Sequence, residues 1–205
     1  DTTARRWIVI TAHYDHVGIG RPVNGDSIYN GADDNASGVA ALLALARALR
    51  ATPTRHPVIL AALDAEEGGL RGARAFVAAP PVPAAAIALN VNMDMVSHSA
   101  SGELHAAGAH HTPAIRPILD RVAQGAPVKL IQGHDRPELG SNDWTGQSDH
   151  GAFHAAGIPF VYFGVEDHPD YHRPSDEVRT IPPEFDRGAV RTIEAAVRAL
   201  DAGLE

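Results

Sequence analysis

Short continuous apolar runs alternate along this chain with longer stretches in which apolar residues return every three or four positions. The runs at 7–12 (WIVITA), 58–63 (VILAAL), 87–93 (IALNVNM), 128–132 (VKLIQ) and 159–164 (PFVYFG) have the length and composition of strands, and the first three read as buried on both faces. Residues 39–49 (VAALLALARAL) carry strong helix formers with an apolar stripe and predict a helix capped by Ser37 or Asn35. Residues 70–79 predict a helix stopped by Pro80 and Pro81, and 113–123 a helix with proline in its first turn. Residues 148–156 and 182–202 predict two more, the last long and amphipathic, and a short strand is read at 103–107 within the less regular segment 97–111. Strands alternating with helices predict an α/β fold, a three-layer sandwich whose central sheet is mixed but mostly parallel, with helices on both faces.

In such sheets ligands gather at the carboxyl ends of the strands. His13 closes the first run, Glu66 and Glu67 follow the second, Asp94 the third, and residues 166–172 the last. Composition narrows what this edge can do. At 205 residues, 44% hydrophobic and 20% charged, the chain predicts one domain over 1–205 around one core, without repeats or an interdomain linker. A formal net charge of -8 argues against a nucleic-acid partner and against an anionic membrane surface. No apolar run approaches the ~20 residues that span a bilayer, and the opening DTTARR has no signal-peptide core. With no cysteine, a metal site has to be built from imidazoles and carboxylates, and the chain has 12 histidines to draw on.

Singly, the polar residues at this edge have bland readings. A His two residues before an Asp, as in AHYDH, is most often a surface histidine, although the spacing of His13 and Asp15 also lets a carboxylate orient a ligating ring. His16 has no stronger claim. Glu66 and Glu67 fit the first turn of a helix, but adjacent glutamates point to different sides, so one can bind a metal while the other stays free as a base. Asp94 ends a predicted interior strand, where an unpaired carboxylate is costly, so a cation or a buried salt-bridge partner belongs near it. The loop GADDNASG (31–38) sets Asp33 and Asp34 before a helix start, where capping accounts for one acid or both. His172 lies in HPDYHRPSDE beside Asp170, Tyr171 and Asp176. Of His150, His154 and His168, one or two are expected to support the site and the rest to lie on the surface.

In this order, AHYDH, GADDNASG, AEEGGLRGA, NMDM, SDH and YHRPSDE resemble the di-zinc aminopeptidases of metallopeptidase family twenty-eight, over nearly the whole chain. Leucyl aminopeptidases and glutamate carboxypeptidases are among its relatives. The resemblance implies a zinc-exopeptidase fold holding two Zn²⁺ per chain. His13 and Asp94 would hold one ion, Glu67 and His172 the other, and Asp34 would bridge them. It further implies that Glu66 is the general base for a hydroxide nucleophile and that Tyr171 polarises the scissile carbonyl. Asp15 would orient His13, Asp149 of SDH would back the ligands, and Asp176 would be a structural acid behind the His172 loop. Two Zn²⁺ against three carboxylates leave one positive charge, which a bridging hydroxide neutralises. An acidic site also suits a free α-ammonium, so the expected substrate is a peptide with a free amino terminus.

The same resemblance keeps alternatives in view. A carboxypeptidase or dipeptidase needs a cation for the substrate carboxylate, for which Arg136 and Arg173 are candidates. A single-zinc glutaminyl cyclase and a receptor-like homologue without catalysis share the fold. Relatives carry elements before the block that starts here at Trp7, so the chain is expected to be part of a longer protein, secreted or periplasmic as its relatives are. Thr145, Gly146 and Gln147 stand where some secreted relatives have a cysteine. The side-chain pocket is expected from 97–99 and 135–147, lined by Phe163 and favouring apolar or broad specificity.

Overall fold

The computed structural model describes residues 6–204; the residues of DTTARR before Arg6, read for the absence of a signal-peptide core, lie outside them. The elements are β1 (Trp7–His13), β2 (Gly18–Val23), β3 (Asp26–Tyr29), α1 (Gly38–Ala51), β4 (Val58–Leu63), α2 (Arg71–Ala78), β5 (Ile87–Met93), β6 (Glu103–Ala107), α3 (Arg116–Gly125), β7 (Lys129–Gln132), α4 (His150–Ala155), β8 (Phe160–Gly164) and α5 (Pro183–Gly203). Six strands form one sheet in the order β4-β1-β5-β8-β6-β7. The first four are mutually parallel; β6 runs antiparallel to β8 and parallel to β7, so the sheet is mixed and mostly parallel.

Alternation along β1 shows why the domain has three layers. Ile8, Ile10 and Ala12 face a core shared with Leu45 of α1, Leu119 of α3 and Ile193 of α5, whereas Val9 faces Ala73 of α2 and Phe153 of α4. These side chains are completely or almost completely buried, each contributing about 1.5–3 kcal/mol for the larger apolar ones. Polar residues also enter the middle of the sheet. Thr11 Oγ donates to Asn92 Oδ1 at 2.7 Å and accepts from Asn90 Nδ2 at 3.1 Å, while Asn92 Nδ2 donates to Ser148 Oγ at 2.9 Å.

Three local expectations are corrected. VILAAL is the edge strand β4, with alternate residues half-exposed and Leu60 38% exposed, because it pairs only with β1 among the described strands. Phe163 is fully buried in the core on the α1–α5 side and is not among the residues that wall the cleft described below. The hairpin β2–β3 has no counterpart in the predicted elements: it is mostly exposed, and GIGRPV and DSIY carry no sustained apolar run.

Candidate metal centre

Four neighbouring parallel strands deliver the acidic and imidazole side chains to one edge. His13 is the last residue of β1, Asp94 follows β5 directly, Glu66 and Glu67 follow the end of β4, and His172 lies in the loop after β8. The loop before α1 is set by glycines at both ends. Gly31 has φ +63°, and a Cβ there would press on the Asp34 carbonyl oxygen and come within 2.7 Å of the His16 ring. At Gly38 a Cβ would strike Asn35 Oδ1 and come within 2.6 Å of the Met93 carbonyl.

Of the two caps expected for α1, Asn35 takes the role. Asn35 Oδ1 accepts from the N–H of Gly38 at 3.0 Å and of Met95 at 3.2 Å, and its Nδ2 donates to Met93 O at 3.0 Å, so Asn35 ties the helix start to the end of β5. Ser37 does not cap; its hydroxyl donates back to Asp33 O at 2.7 Å and accepts from Val96 N at 3.0 Å. Asp33 turns away from the centre, its Oδ1 accepting from Ser97 N and Oγ and its Oδ2 facing His168 Nε2 at 3.2 Å. The Asp176 carboxylate accepts from the backbone N–H of Asp33, at 3.0 Å to each oxygen, and of Asp34 at 3.1 Å. It therefore anchors the Asp34 loop, whereas the resemblance implied a place behind His172.

Asp34 is turned between two groups of donors. Its Oδ1 lies 3.5 Å from His13 Nε2, which is 3.2 Å from Asp94 Oδ1. Its Oδ2 lies 3.0 Å from His172 Nε2, which is 3.3 Å from Glu67 Oε1. Zinc bonds of about 2.0–2.2 Å in a tetrahedron place neighbouring donors roughly 3.4 Å apart, and the observed separations match that spacing. His13 Nε2 and Asp94 Oδ1 are buried and face each other at 3.2 Å without hydrogen-bond geometry, so the inner group holds polar atoms that a cation between them would satisfy. The residues present thus fit metal on both sides of Asp34.

The surrounding contacts hold these donors. His13 Nδ1 meets the Asp15 carbonyl at 3.1 Å, leaving Nε2 toward the centre. The Asp15 carboxylate accepts from the N–H of Glu66 at 3.0 Å and of Glu67 at 3.3 Å, fixing the turn that presents both glutamates. Tyr162 Oη donates to the Asp94 carbonyl at 3.2 Å. His16, given no special weight in the sequence, has Nδ1 3.0 Å from Glu67 Oε1 and 3.7 Å from Asp34 Oδ2, within the outer donor group. The signal was its position three residues after His13 in AHYDH. None of the other three histidines lies free on the surface: His150 and His168 are buried and His154 is half-buried. His150 stacks on Tyr162, and burial lowers its pKa to about 4, so it is neutral.

Charge sets the chemistry. Burial, then the nearby Asp94, Asp149 and Glu67 carboxylates, raise Glu66 to about 8. Asp149 is buried with both oxygens unpartnered, and burial, with Asp94 and Asp15, raises it to about 7. Burial opposes the charge on Glu67, but hydrogen bonds from His16 and His172 prevail and lower it to about 2. Burial likewise opposes charge on His13, yet the Asp94 carboxylate outweighs it and raises the ring to about 10. Asp34 and Glu67 raise His172 to about 10. Tyr171 stacks on His172 with ring centroids 4.0 Å apart; burial and the carboxylates around it push its phenol up, so it keeps its proton.

The cleft above these groups is small, about 70 Å³, walled by Met95, Trp144, Tyr162, Val165 and Tyr171 among the acids. Gln147 joins Trp144 from the expected 135–147 loop, whereas Ser97 is buried against Asp33. No arginine or lysine lines the cleft among the described residues; Arg136 is paired with Glu138 at 3.8 Å, and Arg173 is exposed. A larger concavity, about 660 Å³, lies beside β4 and is lined by Arg6, Arg50, Arg55 and Leu60 without a carboxylate. Donor chemistry, not volume, identifies the site.

Comparison with known proteins gives a consistent assignment. The sequence profile of peptidase family M28 matches residues 1–197. Aminopeptidase YwaD of Bacillus subtilis (strain 168) is 29% identical over 199 residues, covering 93% of this chain and 40% of that protein. The structure of BSAP, a zinc aminopeptidase from Bacillus subtilis, superposes with a TM-score of 0.76 at 29% identity, covering 94% of this chain and 45% of that one. LapA aminopeptidase of Legionella pneumophila shares the fold, with a TM-score of 0.75 at 20% identity over 100% of this chain and 54% of its own. The chain thus spans less than half the length of the two Bacillus relatives.

Proposed function

The chain belongs to peptidase family M28, and from that premise we propose that it is a two-zinc aminopeptidase releasing residues from peptides with a free amino terminus. The observation that carries this reading is the Asp34 carboxylate, turned with one oxygen toward His13 and Asp94 and the other toward Glu67 and His172. Zinc at these donors supplies Lewis-acid polarisation and lowers the pKa of water towards ~7. The chain's own groups do the rest. Glu66 belongs to neither donor group; its carboxylate takes the proton of the attacking water and returns it to the nitrogen of the leaving amine. Its elevated pKa brings the base towards neutrality, where proton transfer in both directions is efficient, and cations beside it draw that value down. The Tyr171 hydroxyl, which retains its proton, donates to the oxyanion that develops on the scissile carbonyl.

Two features support action at the amino terminus. The carboxylates around the cleft accept hydrogen bonds from an α-ammonium, and among the described residues no arginine or lysine lines it to hold a substrate carboxylate. The names of the Bacillus relatives agree. Side-chain contact falls to Met95, Trp144 and Val165, the apolar residues of an otherwise mostly polar lining.

The test combines zinc analysis with paired aminoacyl substrates, amine free and amine blocked. Wild type is expected to bind two zinc ions at the Asp34 centre and to cleave only the free-amine substrates. Glu66→Gln keeps both ions and loses turnover by roughly 10²–10⁴. Undiminished activity in Glu66→Gln removes the general-base assignment. Equal cleavage of blocked substrates removes the aminopeptidase reading, and one zinc at saturation with cyclase turnover replaces it with the cyclase.

A further inference from the structure

We propose that His105, His134 and Glu166 form a second metal site, separate from the Asp34 centre, which takes a borderline divalent transition-metal ion such as zinc and pins the loop carrying Trp144. The inference is independent of the aminopeptidase reading. Three strands bring the residues together. His105 lies in β6 opposite Gly164 of the antiparallel β8, two residues before Glu166. On its other side β6 pairs with β7, and the N–H of Gly133 donates to Ala106 O at 3.2 Å, which leads His134 in beside His105. One donor atom from each of the three residues lies within 4.8 Å of the other two.

The feature that calls for a ligand is His105. It is 6% exposed, yet neither ring nitrogen has a hydrogen-bond partner. A neutral imidazole carries one N–H and one lone pair, so this burial leaves both a donor and an acceptor unmet. Aromatic packing does not answer that: His105 meets His134 and Trp144 edge-on, contacts that satisfy ring faces and edges but not the acceptor lone pair.

His134 is oriented as metal-bound histidines are. Its Nδ1 meets the Asn142 carbonyl at 3.0 Å, which turns Nε2 toward Glu166, whose Oε1 it meets at 3.0 Å, so nitrogen and carboxylate already converge on one point. The backbone at His134 is left-handed, φ +57°, an uncommon conformation for a non-glycine residue and one that aims the ring inward. Two imidazoles and one carboxylate suit zinc, nickel, cobalt or copper rather than magnesium or calcium. The Glu166 side chain is 58% exposed and provides a route of entry. A rival group, His98, His168 and Asp170, is the weaker one: it has a single unpartnered buried ring nitrogen, His98 Nδ1, where His105 has two, and His168 has Nε2 on Asp33 and Nδ1 on the N–H of Asp170.

The consequence reaches the cleft. His134 stacks on Trp144 with centroids 3.7 Å apart and planes 9° from parallel, and Trp144 is a wall of the cleft. A metal held by His134 fixes that indole without touching the Asp34 donors.

Trp144 also reports binding, because an open-shell ion beside its stacked partner quenches indole fluorescence. The experiment titrates Co²⁺ into the full chain carrying Asp34→Ala, with zinc content measured in parallel on the chain with Asp34 intact. Saturable quenching at one equivalent is expected in the Asp34→Ala chain, with an affinity at least about tenfold weaker after adding His105→Gln or Glu166→Gln. With Asp34 intact, Glu166→Gln contains one zinc fewer than wild type. No saturable quenching in Asp34→Ala together with unchanged zinc content in Glu166→Gln overturns the site. Loss confined to His105→Gln, with Glu166→Gln indistinguishable from its parent in both measurements, overturns it as well, since Glu166 is exposed and its replacement leaves the fold intact.

Discussion

The two sides of the Asp34 centre are built differently. On the inner side His13 and Asp94 close interior strands β1 and β5, with side chains 1% and 10% exposed. On the outer side Glu67 and His172 ride on loops and are 19% and 39% exposed. Backbone strain follows the ligands: Ala65, Met95 and His172, at or beside donor residues or Glu66, all have left-handed φ between 51° and 57°. The inner donors close strands of the sheet, with one strained residue, Met95, directly after Asp94, whereas the outer ones sit in loops and are more exposed. Under the proposed two-zinc reading the inner side is the anchor, and the outer side the part that exchanges.

The strongest way to break this contrast is to remove what the sides share. Asp34→Ala is expected to lower metal affinity on both sides by more than about 100-fold, above the usual effect of a supporting residue, with loss of hydrolysis. Loss of only one ion, read by zinc analysis after dialysis, would show that Asp34 serves one side alone. A smaller effect sharpens the contrast. Under chelator, zinc is expected to leave the centre in two phases, outer ion first, and Asp94→Asn should accelerate the slow phase while leaving the fast one. A single phase would make the two sides equivalent.

The smallest effect is in the metal-free protein's response to pH. Glu66, raised from 4.5 to about 8, and Asp149, raised from 3.8 to about 7, hold protons in the folded state that the unfolded chain releases. Their contribution therefore falls as pH rises from about 4 to 8. His13 and His172, raised from 6.5 to about 10, stabilise fully below 6.5 and lose that contribution as pH rises through 10. Glu67, lowered from 4.5 to about 2, contributes above 4.5 and loses its share only as pH falls towards 2. The metal-free protein should melt highest near pH 5 and a few °C or more lower by pH 9, at roughly 2–4 °C per kcal/mol. Zinc should close that gap with rising pH, as cations replace protons. Thermal melts in chelator and in zinc check both statements; a metal-free melting point that rises from pH 5 to 9 contradicts the charges assigned here.

The sequence carried the frame of the site because the frame is local. WIVITA is followed by His13 and IALNVNM by Asp94, and a buried strand followed by a polar residue is visible without knowing which strands pair. Pairing itself is not visible: VILAAL is as apolar as an interior strand, and only its place at the end of the strand order makes it half-exposed. His16 and Trp144 were missed for the same reason. Their neighbours, Glu67 and His134, are brought to them by tertiary structure, and no spacing in the chain announces it. Asn35 against Ser37 as the cap was undecidable because both side chains can accept from a helix start, and the choice fell to contacts with Met93 and Val96 on a distant strand end.

The hydrogen bond between Thr11 and Asn92 has a further consequence, one of measurement. The two residues are register partners across β1 and β5, and each stands two positions before an inner donor, His13 on one strand and Asp94 on the other. A slip of one residue would displace one donor by about 3.3 Å relative to the other, turn its strand's side chains to the opposite face, and strand a hydroxyl and an amide in apolar surroundings. The pair works as a gauge block laid in the sheet: it fixes the register on which the spacing of His13 and Asp94, the proposed inner metal pair, depends.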